Sequence, residues 1–280
     1  MKIQYLGTAA AEGIPGMFCH CSACERALRS GGRNIMTRSQ ALIDGKLLID
    51  FNGDTYMHFT RIGRSLYDIE DVLITHSHED HFSFEFFLLR YERIAVGATV
   101  PRMRVWAEQG VIDWMWASVT ARGWERERIE RDFEFIPLEP FREYTIAGYT
   151  VTPLPAQHAR PEVAYVYLIE KDGRALFYGN DTGFFPEEID RYLLARGKHI
   201  DCLSLDCTKE QGDSDYYGHM SMLEGRAICD RFEREGLCGA ETLRIYTHFS
   251  HSGREIYDDM VAPAAGYGFE VAYDGAEWEF

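Results

Sequence analysis

Short apolar runs, each closed by an abrupt switch to polar residues, set the rhythm of this chain. KIQYLG near the start, then DVLITH, MRVWAE, DCLSLDC and LRIYTH, are rich in β-branched and aromatic residues and have strand length. SQALIDGKLLIDF folds back at Asp44-Gly45 and VAYVYLIEKDGRALFYGND at Asp172-Gly173, the Asp-Gly pairs that suit two-residue hairpins. EYTIAGYTVTPLP adds further strand, and FEVAYDGAEWEF reads as a closing hairpin. Helical periodicity lies between these runs in SFEFFLLRYERI, VIDWMWASVTARG, PEEIDRYLLARG and SMLEGRAICDRFEREG. The last begins at Ser221 with Glu224 three residues on, the signature of a capping box. No repeat, low-complexity tract or Pro/Gly/Ser-rich linker interrupts the sequence. Hairpins, then mixed strands and helices, then the same again, predict an α/β fold: two sheets with helices outside, in a single domain spanning residues 1–280.

Composition fits that reading. The chain has 280 residues, 46% of them hydrophobic and 14% aromatic, enough to bury a substantial core. The apolar runs fall far short of the ~20 residues that span a bilayer, and MKIQYLGTAA lacks the pattern of a secretory signal. A soluble, cytoplasmic protein without a membrane partner is expected. Net charge is −16, from 45 acidic and 29 basic residues. That balance suits metal cations and disfavours nucleic acid, whose affinity rests on neutralising phosphates with Lys and Arg. The run RGWERERIERDF mixes both signs and reads as a solvated helix face.

Chemistry concentrates in DVLITHSHEDHF. After Val72, Leu73 and Ile74, the side chains of His76, His78, Asp80 and His81 leave a strand end within six positions. Burying so many imidazoles without partners is costly, whereas imidazole and carboxylate together suit zinc, manganese or iron. His158 ends VTPLPAQH, Asp181 ends RALFYGND and His248 ends LRIYTH, so each apolar strand delivers one metal-type ligand at its carboxyl end.

The sequence His76-Ser77-His78-Glu79-Asp80-His81 resembles the His-x-His-x-Asp-His signature of the metallo-β-lactamase superfamily, and the likeness extends from LGTAAAEG to the C-terminal strands. The resemblance implies an α/β, four-layer αββα sandwich with a dinuclear site between the sheets. It implies that His76, His78 and His158 bind one divalent metal, that Asp80, His81 and His248 bind a second, and that Asp181 bridges them. Such a pair lowers the pKa of a bridging water and stabilises the charge of the transition state. Manganese or zinc is expected, manganese being favoured by the absence of sulfur ligands.

FCHCSACE places Cys19, Cys21 and Cys24 within six positions. Three thiolates do not close a tetrahedral zinc site. His20, between two cysteines of an extended segment, points away from any metal they share. The late sequence THFSHSG carries His251 three residues beyond His248. This pairing resembles the PhnP-type cyclic phosphodiesterases, with Cys-x-Cys-x-x-Cys after the first strand and a late His-x-x-His. It implies a structural zinc on Cys19, Cys21, Cys24 and His251; a redox cluster or plain loop residues are the alternatives. The other four cysteines (Cys202, Cys207, Cys229, Cys238) show no paired spacing and read as buried apolar thiols.

The reaction expected from that resemblance is hydrolysis of a small phosphodiester, a cyclic ribose or nucleotide phosphate, by attack of a metal-held hydroxide. Asp80 is counted as catalytic as well as ligating. His219, in DYYGHMS before the capped helix, stands as the proton donor to a leaving alkoxide, with a plain surface histidine as the alternative. Hydrolysis of a thioester or lactone, a ribonuclease Z-like activity and a PqqB-like role are the competing readings; no basic arm for transfer RNA is present. A binding-only protein has no need of seven such ligands. A second copy of the chain is the one macromolecular partner left open. Trp114 and Trp116 face different sides of their helix, which favours packing over a lid.

Overall fold

The computed structural model describes residues 1–90, 94–97, 99, 102–212 and 217–280. Its first sheet holds β1 (Lys2–Gly7), β2 (Gln40–Ile43), β3 (Leu47–Ile49), β4 (Asp71–Leu73), β5 (Met103–Glu108) and β6 (Phe133–Leu138) in chain order. The second holds β7 (Tyr144–Ile146), β8 (Tyr149–Pro155), β9 (Tyr165–Lys171), β10 (Arg174–Gly179), β11 (Cys202–Asp206), β12 (Leu243–Thr247) and β13 (Glu270–Val271). The C-terminal strand β14 (Glu277–Glu279) returns to pair with β1. Each sheet has three antiparallel pairings on one side and three parallel ones on the other, so the second half of the chain mirrors the first.

Burial sorts the residues into three apolar layers. Ile3, Tyr5, Ile43, Ile49, Tyr167, Ile169 and Tyr178 fill the space between the sheets. Leu42, Leu48, Val72, Val105 and Met115 lie on the outer face of the first sheet, beneath α2 (Thr55–Arg61) and α3 (Gln109–Ala121). Ala27, Phe177, Leu203, Ile228 and Met260 lie on the outer face of the second, beneath α1 (Ser22–Ser30), α5 (Glu187–Arg196), α6 (Met222–Arg234) and α7 (Tyr257–Gly266). Where both faces are covered, as in β3, β9 and β11, the strand is buried nearly throughout, whereas β5 alternates, with Met103, Val105 and Ala107 buried. The result is the αββα sandwich the sequence implied.

Local chemistry explains the joints. Asp44 and Gly45 take φ of 47° and 70°, Asp172 and Gly173 49° and 80°, as two-residue hairpins require. Ser221 and Glu224 close the capping box at the start of α6. The charged run forms α4 (Arg126–Glu130), which turns Ile129 inward and its charges outward.

Two expectations are corrected. FEVAYDGAEWEF is not a hairpin: β13 adds to the second sheet beside β12, and the chain then crosses to the first sheet as β14. The run at residues 83–94 forms a 3-10 helix over Phe84–Arg90, because Phe82, Phe84 and Phe87 must all reach the layer on the first sheet; residues 91–93 of that run lie outside the described residues. Cys202, Cys207, Cys229 and Cys238 are buried, as read, and Cys229 and Cys238 in addition face one another across the end of α6. Trp114 packs on Phe82 and Phe84, and Trp116 on Phe135, as packing rather than a lid predicts.

The two chain ends meet: the Met1 amino group donates to Phe280 O at 2.9 Å, and Phe280 N donates to Met1 O at 3.0 Å. Among the described residues no helix is long and apolar enough to cross a membrane.

Glu210 knots the turn after β11 to α6 and to the segment after β12. Its carbonyl accepts from Met222 N at 2.8 Å, and its carboxylate accepts from Glu255 N at 3.3 Å. Burial, and then the charge of Glu255, pushes its carboxyl up to about 9. The folded chain therefore keeps a proton that the unfolded chain has lost above about pH 4.5. This contribution to stability is full below that pH and declines as pH rises toward about 9. Glu210→Gln, uncharged in both states, should gain on the parent by up to roughly 1.4 kcal/mol per pH unit across that window. Urea midpoints measured from pH 5 to pH 9 will show it; parallel curves would refute it.

Candidate metal centre

Four strand ends converge on one cleft. His76 follows β4, His158 follows β8, Asp181 follows β10 and His248 follows β12. Asp181 and His248 turn out of their strands in the left-handed region, with φ of 49° and 63°. Such a kink turns the side chain out of the strand's regular alternation, and aspartate and histidine tolerate it better than β-branched residues. The loop carrying His76 to His81 is held from the second sheet, where Tyr165 N donates to Thr75 O at 2.9 Å and Tyr167 OH to Ile74 O at 2.6 Å. Glu162 accepts from Ser77 N at 2.7 Å.

The predicted ligands fall into two groups that share Asp181. In the first, His78 Nδ1 lies 3.0 Å from His76 Nε2 and 3.2 Å from His158 Nε2. Asp181 Oδ2 is 3.2 Å from each of the latter two nitrogens. In the second, His81 Nε2 lies 3.2 Å from Asp181 Oδ2 and 3.3 Å from Asp80 Oδ2. His248 Nε2 is 3.7 and 3.8 Å from the same two oxygens. Donor atoms ~2.1 Å from a common tetrahedral ion would stand about 3.4 Å apart, so these spacings fit divalent cations. His81 Nε2 and His248 Nε2 are, moreover, buried nitrogens without a hydrogen-bond partner among the described residues.

The outer ring nitrogens explain why the inner ones present lone pairs. His81 Nδ1 lies 2.7 Å from Asp50 Oδ2. His76 Nδ1 lies 3.0 Å from Thr75 Oγ1, which donates in turn to Asp50 Oδ1 at 2.9 Å. His248 Nδ1 lies 2.8 Å from Thr208 Oγ1, which donates to Asp206 Oδ2 at 2.8 Å. His158 Nδ1 faces Gly218 O at 3.3 Å. With an acceptor at each Nδ1, the proton sits there and Nε2 is left basic. Neither Asp50, Asp206 nor the two threonines was singled out from sequence. A signal existed: Asp50 ends KLLID and Asp206 ends DCLSLD, the same strand-end pattern that marked the ligands.

His219 belongs to the cleft, not the surface. Its Nδ1 lies 3.1 Å from Asp181 Oδ1 and 3.5 Å from Asp206 Oδ2, and its ring stacks 5.9 Å from that of His248. Burial opposes its charged form, but the two carboxylates outweigh burial and raise its pKa to about 10. Burial likewise opposes ionised Asp181, yet His248 and His158 hold it well below the usual carboxylate range. Burial, followed by His81, takes His76 down to about 3.

The cysteine loop forms a separate group. Cys19 Sγ and Cys21 Sγ stand 3.5 and 3.8 Å from His251 Nδ1, and Cys24 Sγ lies with them, accepting from Gly16 N at 3.2 Å. Thiolate–zinc bonds near 2.3 Å fit those separations. Gly16 is required here, because a Cβ would stand 2.8 Å from the His251 ring. His20 points outward, 2.9 Å from Glu25. The loop is also tied to the end of β12, since Ala10 N donates to Phe249 O and Phe249 N to Thr8 O, both at 2.9 Å.

A family model of the β-lactamase superfamily domain matches residues 47–249. Over 100% of its length the chain is similar in structure to a diphosphatase of the PhnP family, with 22% identity, 97% of that chain covered and a TM-score of 0.73. It is also similar to zinc-bound PqqB from Methylobacterium extorquens (19% identity, all of both chains, TM-score 0.65). The short form of human tRNase Z follows at 16% identity, with 99% of that chain covered and a TM-score of 0.64. At these identities the likeness is one of fold. An octanoyltransferase of Porphyromonas gingivalis is 26% identical over 206 residues, 68% of this chain, but the match spans only 37% of that protein's length.

Asp50→Asn tests the outer hydrogen bonds. The amide nitrogen would donate toward His81 Nδ1, shifting the ring proton to Nε2 and removing the lone pair from the cleft. Affinity for manganese or zinc at the cleft should fall roughly 10- to 100-fold in competition with a fluorescent chelator, with the circular dichroism spectrum retained. Unchanged affinity would show that Asp50 does not set the tautomer.

Proposed function

The chain belongs to the β-lactamase superfamily of metal-dependent hydrolases, and on that premise we propose that it cleaves a small phosphodiester, of the cyclic ribose or nucleotide kind. The observation that carries this reading is the shared carboxylate: Asp181 Oδ2 faces four imidazole nitrogens at 3.2 to 3.7 Å, inside a donor set of nitrogen and oxygen alone. Such a set suits two hard or borderline cations, manganese or zinc, and a doubly anionic site of this kind suits an anionic substrate only once it is loaded. His76, His78 and His158 would hold one cation, Asp80, His81 and His248 the other, and Asp181 both. When bound, the pair makes water nucleophilic near neutral pH and neutralises charge gathering at phosphorus.

The rest of the work falls to the chain. Asp206 accepts from Met220 N at 2.7 Å, and from Thr208 N and its hydroxyl, so it stays charged beside His219. Held there on its Nδ1 side, His219 carries a second proton on Nε2, which it passes to the departing alkoxide. The net charge of −16 weighs against a long RNA substrate.

A second reading, hydrolysis of an acyl thioester, has one observation behind it. An apolar groove of about 450 Å³, lined by Phe51, Tyr56, Leu66, Phe86 and Leu89, adjoins the His76–His81 loop through the bond from Phe51 N to His81 O. The relative named as an octanoyltransferase points the same way, although the match leaves most of that protein uncovered.

A substrate panel separates the readings: bis(p-nitrophenyl) phosphate, a ribose cyclic phosphate, 2′,3′-cyclic nucleotides, an octanoyl thioester and a lactone, each with manganese. Turnover of the phosphodiesters is expected, and turnover of the thioester alone would replace the first reading by the second. His219→Ala should keep both cations and lose roughly 10²–10⁴-fold on the cyclic phosphates, whose alkoxide needs a proton, but far less on p-nitrophenolate release. Equal losses would remove the acid role.

A structural zinc on Cys19, Cys21, Cys24 and His251 completes the proposal. Elemental analysis of Cys24→Ser should show that zinc gone and the cleft pair retained. Equal loss of all metals would merge the two sites.

A further inference from the structure

Away from both metal groups, the end of α6 brings two thiols and two guanidinium groups together. The sulfurs of Cys229 and Cys238 and a Glu233 carboxylate oxygen lie within 4.8 Å of one another. Arg244, on β12, donates from Nε to Cys229 Sγ at 2.9 Å. It cannot swing away, because its other nitrogens donate to Glu233 Oε1 at 2.7 Å and Thr242 O at 3.2 Å. Arg226 holds the second Glu233 oxygen at 2.8 Å. Cys229 is fully buried and Cys238 keeps 5% of its surface exposed.

A cation is a poor occupant of this cluster. A fixed guanidinium already touches the Cys229 sulfur, and Glu233 is already paired with both Arg244 and Arg226, so a divalent ion would have to displace Arg244 from the sulfur and from the carboxylate. The Arg244 contact favours an anionic sulfur. We propose that Cys229 and Cys238 form a redox-active dithiol that hydrogen peroxide converts to a disulfide, with Cys229 as the attacking sulfur. Contact with Cys238, and against burial the charges of Arg244 and Arg226, lower the Cys229 thiol, while Cys229 and burial raise the Cys238 thiol. One sulfur is thus prepared to be the thiolate nucleophile and the other to remain a thiol until needed.

The chemistry balances. The Cys229 thiolate attacks one peroxide oxygen, the O–O bond breaks, and hydroxide leaves and takes a proton to become water. Cys229 is now a sulfenic acid. The Cys238 sulfur attacks it, the S–O bond breaks, and the hydroxyl leaves with the Cys238 proton as a second water. Two thiols and one peroxide give one disulfide and two waters.

The test uses the metal-loaded protein treated with hydrogen peroxide, alkylated and digested without reductant. Mass spectrometry should find one cross-linked peptide pair joining Cys229 to Cys238, two hydrogens lighter than its reduced parts and restored by dithiothreitol. Cys202 and Cys207 should remain fully alkylated. In Cys238→Ser, Cys229 should be captured by dimedone as the sulfenic acid. Arg244→Met should slow cross-linking about tenfold, as expected from a thiolate fraction reduced by one pKa unit. The unsubstituted protein decides the question even if a variant misfolds. Full alkylation of both thiols after peroxide would overturn the proposal. So would a rate that ignores Arg244→Met, or zinc retained by Cys24→Ser and released by Cys229→Ser.

Discussion

A single carboxylate oxygen, Oδ2 of Asp181, is pressed against four imidazole nitrogens, and the architecture exists to keep it there. Lone pairs at 3.2 to 3.7 Å repel unless a proton or a cation stands between them, so the strand ends that carry them would drift apart in a soft framework. Three apolar layers prevent it. The tyrosines between the sheets do more than fill space: Tyr5 donates to Ser204 Oγ at 2.6 Å and Tyr167 to Ile74 O, stitching one sheet to the other. The rigidity of close packing is thereby delivered to the ligands as fixed direction.

The two sheets solve the orientation problem in the same way. Asp50 at the end of β3 and Thr75 after β4 fix the protons of His81 and His76. At the end of β11, Asp206 and Thr208 fix that of His248. Each device is an aspartate leaving a strand, paired with a threonine hydroxyl that relays the hydrogen bond. Asp206 goes further by facing His219 too, so the carboxylate that orients His248 also supports the charge of His219. A change at Asp206 therefore disturbs both histidines together.

Much of this was legible in the sequence, for identifiable reasons. A run of buried strand residues followed at once by histidine or aspartate has few structural explanations, so the convergence of His76, His158, Asp181 and His248 could be foreseen without coordinates. The Asp-Gly hairpins and the Ser221 capping box are local, and local chemistry decided them. What escaped depends on distance through the fold. The supporting aspartates look like ordinary turn residues until their partners are seen. FEVAYDGAEWEF alternates like a hairpin, but its first half joins the nearby β12 and its second half joins β1 at the far end of the sequence. The meeting of Cys229 with Cys238 arises from the way the chain folds back after α6, which no spacing announces.

The pairing of β1 with β14 gives the molecule a mechanical character. The first residue lies opposite the last across an antiparallel ladder, so a force drawing the two ends apart loads its hydrogen bonds one after another, as a zipper does, not all at once in shear. Peeling would begin at Met1 and Phe280 and run inward along β1 to Tyr5. Beyond that point the pull reaches the segment that pairs with Phe249 and carries the cysteine loop. A tether at either end would thus be felt first at the sheet edge and last at the metal cleft.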